Sequence, residues 1–263
     1  MSSPITAGTI RPTTTRTYQI GSAEVTVADR DRTRPFLLLH GGGGVQTMAG
    51  FADLLAERTH SRVLLPIHPG FSGTPKADTL TGVPELARLY VTMLDELDLA
   101  DVTVIGNSFG GWLAAEIALL GSPRVSGAVI IDGMGIEVDG HPMTDVSGLS
   151  TTEIQAYSFH DPGKLPAPPA AAGTSPSPDV LALVGYAGRA MTDPTLAKRL
   201  GGIQIPVHVL WGESDRIVDP GYGQAFADAI PLSTFTLLPR TGHLPQVETP
   251  EELLGALLDL GKR

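Results

Sequence analysis

Short runs of apolar residues, rich in valine, isoleucine and leucine, recur along the chain and are bounded by glycine, proline or charged residues. Runs of about four to eight such residues are typical of strands buried on both faces of a sheet. The predicted buried strands are residues 36–39, 62–66, 102–105, 125–131, 207–211 and 234–238. Before them, residues 16–20 and 24–28 alternate polar with apolar side chains around Gly21-Ser22, which predicts an antiparallel hairpin.

Between the strands, apolar residues recur at every third or fourth position, which predicts amphipathic helices. The clearest case is residues 83–99, where Leu86, Leu89 and Met93 share one helical face and Pro84 lies in the first turn. Further helices are predicted at residues 48–58, 112–120, 222–230 and 250–260. Strand and helix therefore alternate, which indicates an α/β fold with a mostly parallel sheet and helices on both faces.

The alternation stops between residues 135 and 202, where no strand is predicted. Ser150-Thr-Thr-Glu153 fits a capping box that begins a helix, predicted to continue through Phe159. Residues 161–178 contain six prolines and are predicted to form a loop or hinge. Two more helices, at residues 179–191 and 194–200, complete a helical insertion within the α/β domain.

The pattern thus divides the chain into three parts. The first fourteen residues, rich in serine, threonine and proline, are expected to be a flexible N-terminus (1–14). Residues 15–134 and 203–263 form the predicted α/β core, and residues 135–202 the helical insertion. A length of 263 residues suits one large α/β domain, or one domain with an insertion.

Composition narrows the classes of function. The formal net charge of −10 argues against nucleic acid or an anionic membrane surface as a partner. The chain contains no cysteine, which excludes disulfides, thiolate catalysis and cysteine-ligated metals. No stretch has the pattern of a signal peptide or the length of a membrane span, so we expect a soluble, cytoplasmic protein.

The stretch Gly106-Asn107-Ser108-Phe109-Gly110 lies where the strand at 102–105 gives way to a helix. It fits the G-x-S-x-G pattern of a nucleophile elbow, a strained turn that projects a serine above a sheet. Side chains two residues before and after the serine would collide there, and glycine removes them. The pattern is weak alone, because glycine and serine are common in such turns.

A base and an acid follow later in the chain. His243 lies on the loop after the last predicted strand, and Asp215 on the loop after the preceding one. Loops at the carboxyl ends of parallel strands meet at one sheet edge, so His243 could reach Ser108 there. A carboxylate would hold the imidazole in the tautomer that accepts the serine proton. The order serine, aspartate, histidine is that of the α/β hydrolases.

Over residues 17–260 the chain resembles the α/β-hydrolase fold superfamily, through four motifs in the expected order. They are His40-Gly41-Gly42-Gly43, Gly106-Asn-Ser-Phe-Gly110, Gly212-Glu-Ser-Asp215 and Gly242-His243. The resemblance implies an eight-stranded, mostly parallel sheet, with the insertion at 135–202 as a helical cap that covers the serine. It implies Ser108 as nucleophile, His243 as general base and acid, and Asp215 as its orienting carboxylate.

The resemblance also implies an oxyanion hole formed by the backbone N–H groups of Phe109 and Gly42. The identity of the triad acid stays open, because two other carboxylates compete with Asp215 for that role. Glu213 lies on the same loop as Asp215, and Asp132 follows the strand after the elbow, where some relatives carry the acid. A phosphate loop at the glycines is disfavoured, because no Lys-Ser/Thr pair follows them.

Several other residues are candidates for the substrate pocket. His40 resembles a structural histidine that braces the glycine loop, and His68 stands where many relatives have aspartate. The further candidates are Gly43, Asp132, Tyr157 and Tyr186, and the tyrosines are equally suited to the core of the cap. No histidine and carboxylate set has the spacing of a metal site, so neither a metal nor a cofactor is expected.

The sequence therefore predicts a serine hydrolase of a small or medium carboxylic ester, acting as a monomer or homodimer on a small-molecule substrate. The elbow and glycine loop also resemble hydrolases that cleave carbon–carbon bonds in ring-fission diketones, although the Gly-Pro-Gly common in that family is absent. The pattern is also compatible with an acyltransferase, in which a second nucleophile replaces water, and with a non-catalytic ligand-binding relative.

Overall fold

Eight strands form one sheet in the computed structural model, which describes residues 14–30, 35–146, 148–164 and 177–259. In chain order they are β1 (Thr14–Ile20), β2 (Ala23–Arg30), β3 (Pro35–Leu39), β4 (Arg62–Ile67), β5 (Val102–Asn107), β6 (Val125–Ile131), β7 (Val207–Gly212) and β8 (Ser233–Leu238). The order across the sheet is β1-β2-β4-β3-β5-β6-β7-β8. The pairs β1–β2 and β2–β4 are antiparallel and the other pairs are parallel, which confirms the predicted fold class.

The helices that the structure describes alternate with the strands and also fill the region between β6 and β7. They are α1 (Gln46–Thr59), α2 (Val83–Glu96), α3 (Phe109–Leu119), α4 (Thr151–Ser158), α5 (Pro178–Ala187), α6 (Leu196–Leu200), α7 (Pro220–Asp228), α8 (Pro245–Glu248) and α9 (Pro250–Asp259). A single 3-10 turn spans Pro162–Lys164. None of the described helices has the length and hydropathy to span a lipid bilayer.

The two faces of the sheet carry separate apolar clusters, because successive side chains of a strand point to opposite faces. In β3, Leu37 and Leu39 belong to the larger cluster, which includes α2, α3 and α7. Leu38 between them belongs to the smaller cluster, which includes α1 and α9. Strands buried on both faces explain why the sequence shows apolar runs there instead of alternation.

Three predicted helix ends differ from the structure for local reasons. The helix expected at 83–99 ends at Glu96, and Asp98 takes a left-handed φ of 47° in the turn that follows. The helix expected at 179–191 ends at Ala187, where Gly188 has a φ of 70°. The helix expected at 112–120 begins earlier, at Phe109, so that the nucleophile candidate precedes its first turn.

Residues 135–202 leave the sheet after β6 and return at β7, and α4, α5 and α6 lie within them. The capping box is confirmed: Ser150 Oγ accepts a hydrogen bond from the Glu153 backbone, and the Glu153 carboxylate accepts one from the Ser150 backbone. Residues 165–176, most of the predicted proline-rich loop, lie outside the described residues. So does the expected flexible N-terminus, except for Thr14, which begins β1.

Candidate active site

Ser108 lies in a strained turn between β5 and α3. Its φ of 57° and ψ of −117° fall outside the regions that residues with a side chain normally adopt. A Cβ at Gly106 would overlap the Gly110 carbonyl, and one at Gly110 would overlap the Leu39 carbonyl. The two glycines therefore allow a turn that no other residues at those positions would fit, and it is the turn predicted from the sequence.

His243 and Asp215 form a buried pair. His243 Nδ1 lies 2.8 Å from Asp215 Oδ2, and the residues are 7% and 2% exposed. The other carboxylate oxygen, Asp215 Oδ1, accepts hydrogen bonds from the backbone N–H groups of Ile217 and Val218 at 2.8 and 3.2 Å. Since Nδ1 donates to the carboxylate, Nε2 is left as the proton acceptor of the ring.

Asn107 connects the elbow to the loop that carries His243. Its side-chain amide donates to the His243 carbonyl at 2.9 Å and to the Ile131 carbonyl at 3.2 Å. Its oxygen accepts from Gln246 Nε2 at 3.0 Å. The residue before the nucleophile candidate thereby fixes the distance between two loops that are far apart in sequence. Ser108 Oγ itself lies 4.0 Å from the sulfur of Met134.

Glu213, the first rival for the role of acid, points elsewhere. It is exposed, and its carboxylate accepts a hydrogen bond from the Arg240 backbone at 3.1 Å. Asp132, the second rival, is fully buried at the end of β6, and its Oδ1 accepts a hydrogen bond from the Gly212 backbone at 2.7 Å. The carboxylate in contact with His243 Nδ1 is that of Asp215.

The glycine loop after β3 lies directly against the elbow. A Cβ at Gly41 would be 2.9 Å from Ser108 Cβ, so the two backbones approach as closely as glycine permits. Phe109, the next residue after Ser108, is buried and begins α3. The first N–H groups of a helix lack intrahelical acceptors and carry the positive end of its dipole. Gly42 is the next residue of the glycine loop, and a Cβ at Gly43 would be 2.9 Å from Thr47 Cγ2.

Two buried histidines lie beneath the glycine loop. His40 Nδ1 lies 2.8 Å from the Gly41 carbonyl, and His40 Nε2 accepts the His68 backbone N–H at 3.2 Å. His68 Nε2 lies 3.0 Å from the His40 carbonyl, and its Nδ1 lies 2.7 Å from the Tyr90 hydroxyl. Burial lowers the pKa of His40 to about 4 and holds the pKa of His68 well below its ordinary value. Both rings are therefore neutral parts of the loop's support.

Helix α5 covers the glycine loop from the other side. A Cβ at Gly42 would be 2.8 Å from Leu183 Cδ2, and Asp179 accepts a hydrogen bond from the Ser72 backbone at 2.7 Å. Tyr186 is buried, donates its hydroxyl to the Pro69 carbonyl at 2.9 Å, and has its ring 6.1 Å from that of Phe109. Tyr157, the other tyrosine candidate, is 38% exposed and lies near Arg216 on the loop of Asp215.

Met134 and Leu183 lie at the site although no sequence motif points to them. Met134 follows the end of β6 by three positions, so the rule that side chains gather at the carboxyl ends of strands could have identified it. Leu183 has no such signal, because its position depends on where α5 packs. Asp132, Asp215 and His243 come together from three loops, with ligand-type atoms within 4.8 Å of one another. Spacing along the sequence could not reveal that cluster.

Comparison with known proteins identifies the family of the chain. Residues 36–256 match the model of the alpha/beta hydrolase family. A 2-hydroxy-6-oxo-2,4-heptadienoate hydrolase of Pseudomonas putida is 31% identical over 122 residues, which is 45% of this chain and only 44% of that protein. A 2-hydroxy-6-oxo-6-(2'-aminophenyl)hexa-2,4-dienoic acid hydrolase of Metapseudomonas resinovorans is 22% identical over 94% of this chain and 91% of its own length.

Solved structures show the same fold. A serine hydrolase involved in carbazole degradation superposes with a TM-score of 0.78 at 21% identity, covering 96% of this chain and 100% of that one. A thermophilic esterase from Thermogutta terrifontis superposes with a TM-score of 0.72 at 22% identity, covering 96% and 98%. With the sheet order, the elbow and the match over residues 36–256, these likenesses place the chain in the alpha/beta hydrolase family.

Proposed function

We propose that the protein is a serine hydrolase that cleaves a small or medium carboxylic ester through an acyl-enzyme on Ser108. His243 is the general base and acid, and Asp215 is its orienting carboxylate. The observation that carries the proposal is the 2.8 Å contact of His243 Nδ1 with Asp215 Oδ2 at the sheet edge where the Ser108 turn lies. It leaves Nε2 as the ring nitrogen able to accept a proton.

The reaction follows from these positions in two halves. His243 Nε2 takes the proton of Ser108 Oγ as that oxygen attacks the carbonyl carbon, and the proton then passes to the departing alcohol. Water next attacks the acyl-enzyme, gives its proton to the same nitrogen, and releases the carboxylic acid as the proton returns to Ser108. The buried Asp215 carboxylate stabilises the imidazolium that forms in each half.

The negative charge on the tetrahedral intermediate is assigned to the backbone N–H groups of Gly42 and Phe109. Support comes from the close approach of the glycine loop to Ser108 and from the position of Phe109 at the start of α3. Each preorganised donor of this kind contributes about 10²–10³ in rate. The positive end of the α3 dipole adds to the same stabilisation.

In this proposal, apolar side chains beside Ser108 determine the polarity and size of the substrate group that the site accepts. Met134 lies 4.0 Å from Ser108 Oγ, and Leu183 of α5 lies over Gly42, next to the proposed oxyanion hole. Residues 135–202 act as a helical cap, since α5 covers the glycine loop and α4 ends against the loop of His243 through the 2.7 Å bond from His243 N to the Ser158 carbonyl. Such an enclosure favours an apolar group of modest size and excludes water.

The nucleophile assignment can be tested directly with a fluorophosphonate probe. The wild type should be labelled and Ser108→Ala should not, and ester turnover should fall about 10⁴-fold or more in Ser108→Ala and in His243→Ala. Asp215→Asn should fall about 10³–10⁴-fold, because the imidazole loses the tautomer set by the carboxylate. Glu213→Gln, on the same loop but exposed, is the matched control and should remain near wild type. Labelling of Ser108→Ala would disprove the assignment.

Carbon–carbon bond hydrolysis is the second candidate, and it is favoured by the likeness to the two dienoate hydrolases of Pseudomonas putida and Metapseudomonas resinovorans. The same triad would serve both reactions, so the two functions must be distinguished by measuring activity on both classes of substrate. We expect short p-nitrophenyl esters to give a higher kcat/KM than a vinylogous diketone. The opposite ranking, with both activities absent in Ser108→Ala, would assign the protein to the second reaction and retain the nucleophile.

A further inference from the structure

Asp132 has no role in the mechanism above, although it is fully buried beside the acid–base pair. It follows β6 directly and takes a left-handed φ of 45°, a conformation that costs free energy for a residue with a side chain. Its carboxylate, that of Asp215 and a ring nitrogen of His243 lie within 4.8 Å of one another. Two acidic groups therefore share one dry site with a single histidine.

The hydrogen-bond donors around the two carboxyl groups are unequal. Asp215 accepts from His243 Nδ1, Ile217 N and Val218 N. Asp132 accepts only from the Gly212 backbone, through Oδ1. Within the described part of the chain, no N–H or O–H donor faces the buried Asp132 Oδ2. The Asp215 carboxyl group lies beside Asp132, with one oxygen of each within 4.8 Å, and the two can share a hydrogen bond once one of them carries a proton.

Two ionised carboxyl groups in contact in a buried site repel each other, and one retains a proton at neutral pH. The three donors stabilise the negative charge of Asp215, so the proton belongs on Asp132. Burial and the neighbouring charge of Asp215 raise the pKa of Asp132 well above its ordinary range. The titratable groups facing Asp132 are Asp215 from the loop after β7 and His243 from the loop after β8.

We propose that Asp132 is a positioning residue that stays un-ionised and donates its Oδ2 proton to the Asp215 carboxylate, which in turn orients His243. The proposal rests on the proposed function for its catalytic consequence, but the protonation of Asp132 does not depend on that function. The donated hydrogen bond gives the Asp215 carboxylate a partner besides His243 and the two backbone N–H groups. It also leaves one negative charge beside the imidazole instead of two.

Asparagine is the decisive substitution, because it reproduces the un-ionised acid. In Asp132→Asn the amide oxygen can accept from Gly212 N and the amide nitrogen can donate to Asp215, and asparagine tolerates the left-handed φ. We expect kcat/KM near wild type, with the acid limb of its pH profile unmoved. Asp132→Ala removes the donor and should lower kcat/KM about tenfold. Recovery of activity in the asparagine variant separates loss of the donor from general damage.

A measurement of stability against pH tests the proton without any substrate. The unfolded chain ionises Asp132 at neutral pH, so folding of the wild type must take up a proton there and is weakened as pH rises above the ordinary aspartate range. Asp132→Asn avoids this cost. Its urea midpoint should exceed that of the wild type at pH 7, and the gap should close as pH falls to the ordinary aspartate range. The infrared carbonyl band of an un-ionised acid should be present in the wild type and absent in Asp132→Asn.

Three results would overturn the proposal. An acid limb that moves to lower pH in Asp132→Asn would mean that Asp132 is ionised in the wild type and stabilises a positive charge in the site. A lower urea midpoint of Asp132→Asn at pH 7 would mean that a carboxylate stabilises the fold there. Stabilisation of the wild type by Zn²⁺ or Mg²⁺, lost in Asp132→Asn, would mean that the cluster holds a cation. If Ser108→Ala kept its turnover, the proposed function would fail while the midpoint and infrared results still decided the protonation of Asp132.

Discussion

The buried histidines beneath the glycine loop show how one arrangement of hydrogen bonds fixes a protonation state. His40 Nε2 faces the His68 backbone N–H, so a proton on that nitrogen would point at another donor. His68 Nε2 faces the His40 carbonyl, so its proton lies there and Nδ1 is the acceptor. The His40 ring can satisfy both of its neighbours only while neutral. For His68, whose Tyr90 partner can donate or accept, burial disfavours the charged form. The loop that offers Gly42 is therefore supported by groups that acid would disrupt.

The free energy of unfolding should consequently fall as pH drops from about 6.5 towards 4. Both histidines have a pKa in the folded state below the ordinary value of 6.5. Below that pH the unfolded state therefore binds more protons than the folded state, and acid favours unfolding. Each group contributes a slope of up to about 1.4 kcal/mol per pH unit within this window. Urea midpoints between pH 7.5 and 4.5 measure it.

His68→Asn should reduce that slope, because asparagine does not titrate and only His40 of the two buried histidines then contributes to it. His60→Asn is the matched control: His60 is exposed and has a left-handed φ of 51°, which asparagine tolerates. The change in slope, and not the absolute midpoint, is the quantity to compare. An unchanged slope in His68→Asn would show that His68 is not neutral in the folded protein.

At the scale of elements, polar contacts join described residues between β6 and β7 to helices that pack on the sheet. Arg199 of α6 forms ion pairs with Glu116 of α3 at 2.6 and 2.8 Å and with Asp193 at 2.6 Å. His141 pairs with Asp219, the N-cap residue of α7, at 2.8 Å. These contacts reach α3 and α7, and they add to the direct hydrogen bonds that α5 makes through Asp179 and Tyr186.

Arg199→Ala should destabilise the fold by about 2 kcal/mol. The Glu116 side chain is 5% exposed and would keep only the Trp112 indole as a donor. Loss of one partner of a buried ion pair costs about 3–5 kcal/mol, and the partial exposure of Arg199 reduces this figure. Urea unfolding measures the effect, with Lys198→Ala as control, since Lys198 is an exposed neighbour on α6.

The double variant Arg199→Ala/Glu116→Gln separates the two parts of that cost. Because it removes the unpaired charge, it should be more stable than Arg199→Ala alone. Equal destabilisation in the single and double variants would mean that Glu116 reaches solvent when Arg199 is lost.

For the whole molecule, the topology explains why the main site residues can be predicted from the sequence. Ser108, Asp132, Asp215 and His243 follow β5, β6, β7 and β8, which are neighbours in the sheet and parallel. Parallel strands present their carboxyl ends at one edge, so residues scattered over half the chain meet there. Apolar runs predict the strands, and the motifs after them predict the residues.

The remaining features of the site depend on distances between loops, which no local pattern encodes. Two examples are the contact of Asp132 with Asp215 and the position of Met134 beside Ser108. Both depend on how the loops after β5, β6 and β7 are placed relative to one another. The cover of Gly42 by Leu183 requires the packing position of α5, which its sequence of ten mostly apolar residues does not specify. Helix ends such as Gly188 depend on single left-handed residues, which glycine permits but does not dictate.

The crowded turn around Ser108 has a consequence for how this chain can change over generations. Gly106 and Gly110 have no room for even one more carbon atom, whereas position 108 already holds a side chain, with its Oγ 4.0 Å from the sulfur of Met134. Substitutions at the two glycines should reduce the amount of folded protein in a cell. Many substitutions at position 108 should leave that amount unchanged and abolish only the catalytic activity. Measured for every substitution, abundance and activity should both fall at the glycines, whereas at the serine activity should fall and abundance should not. New chemistry in this scaffold is therefore more accessible by exchanging residue 108 than by reshaping the turn that presents it.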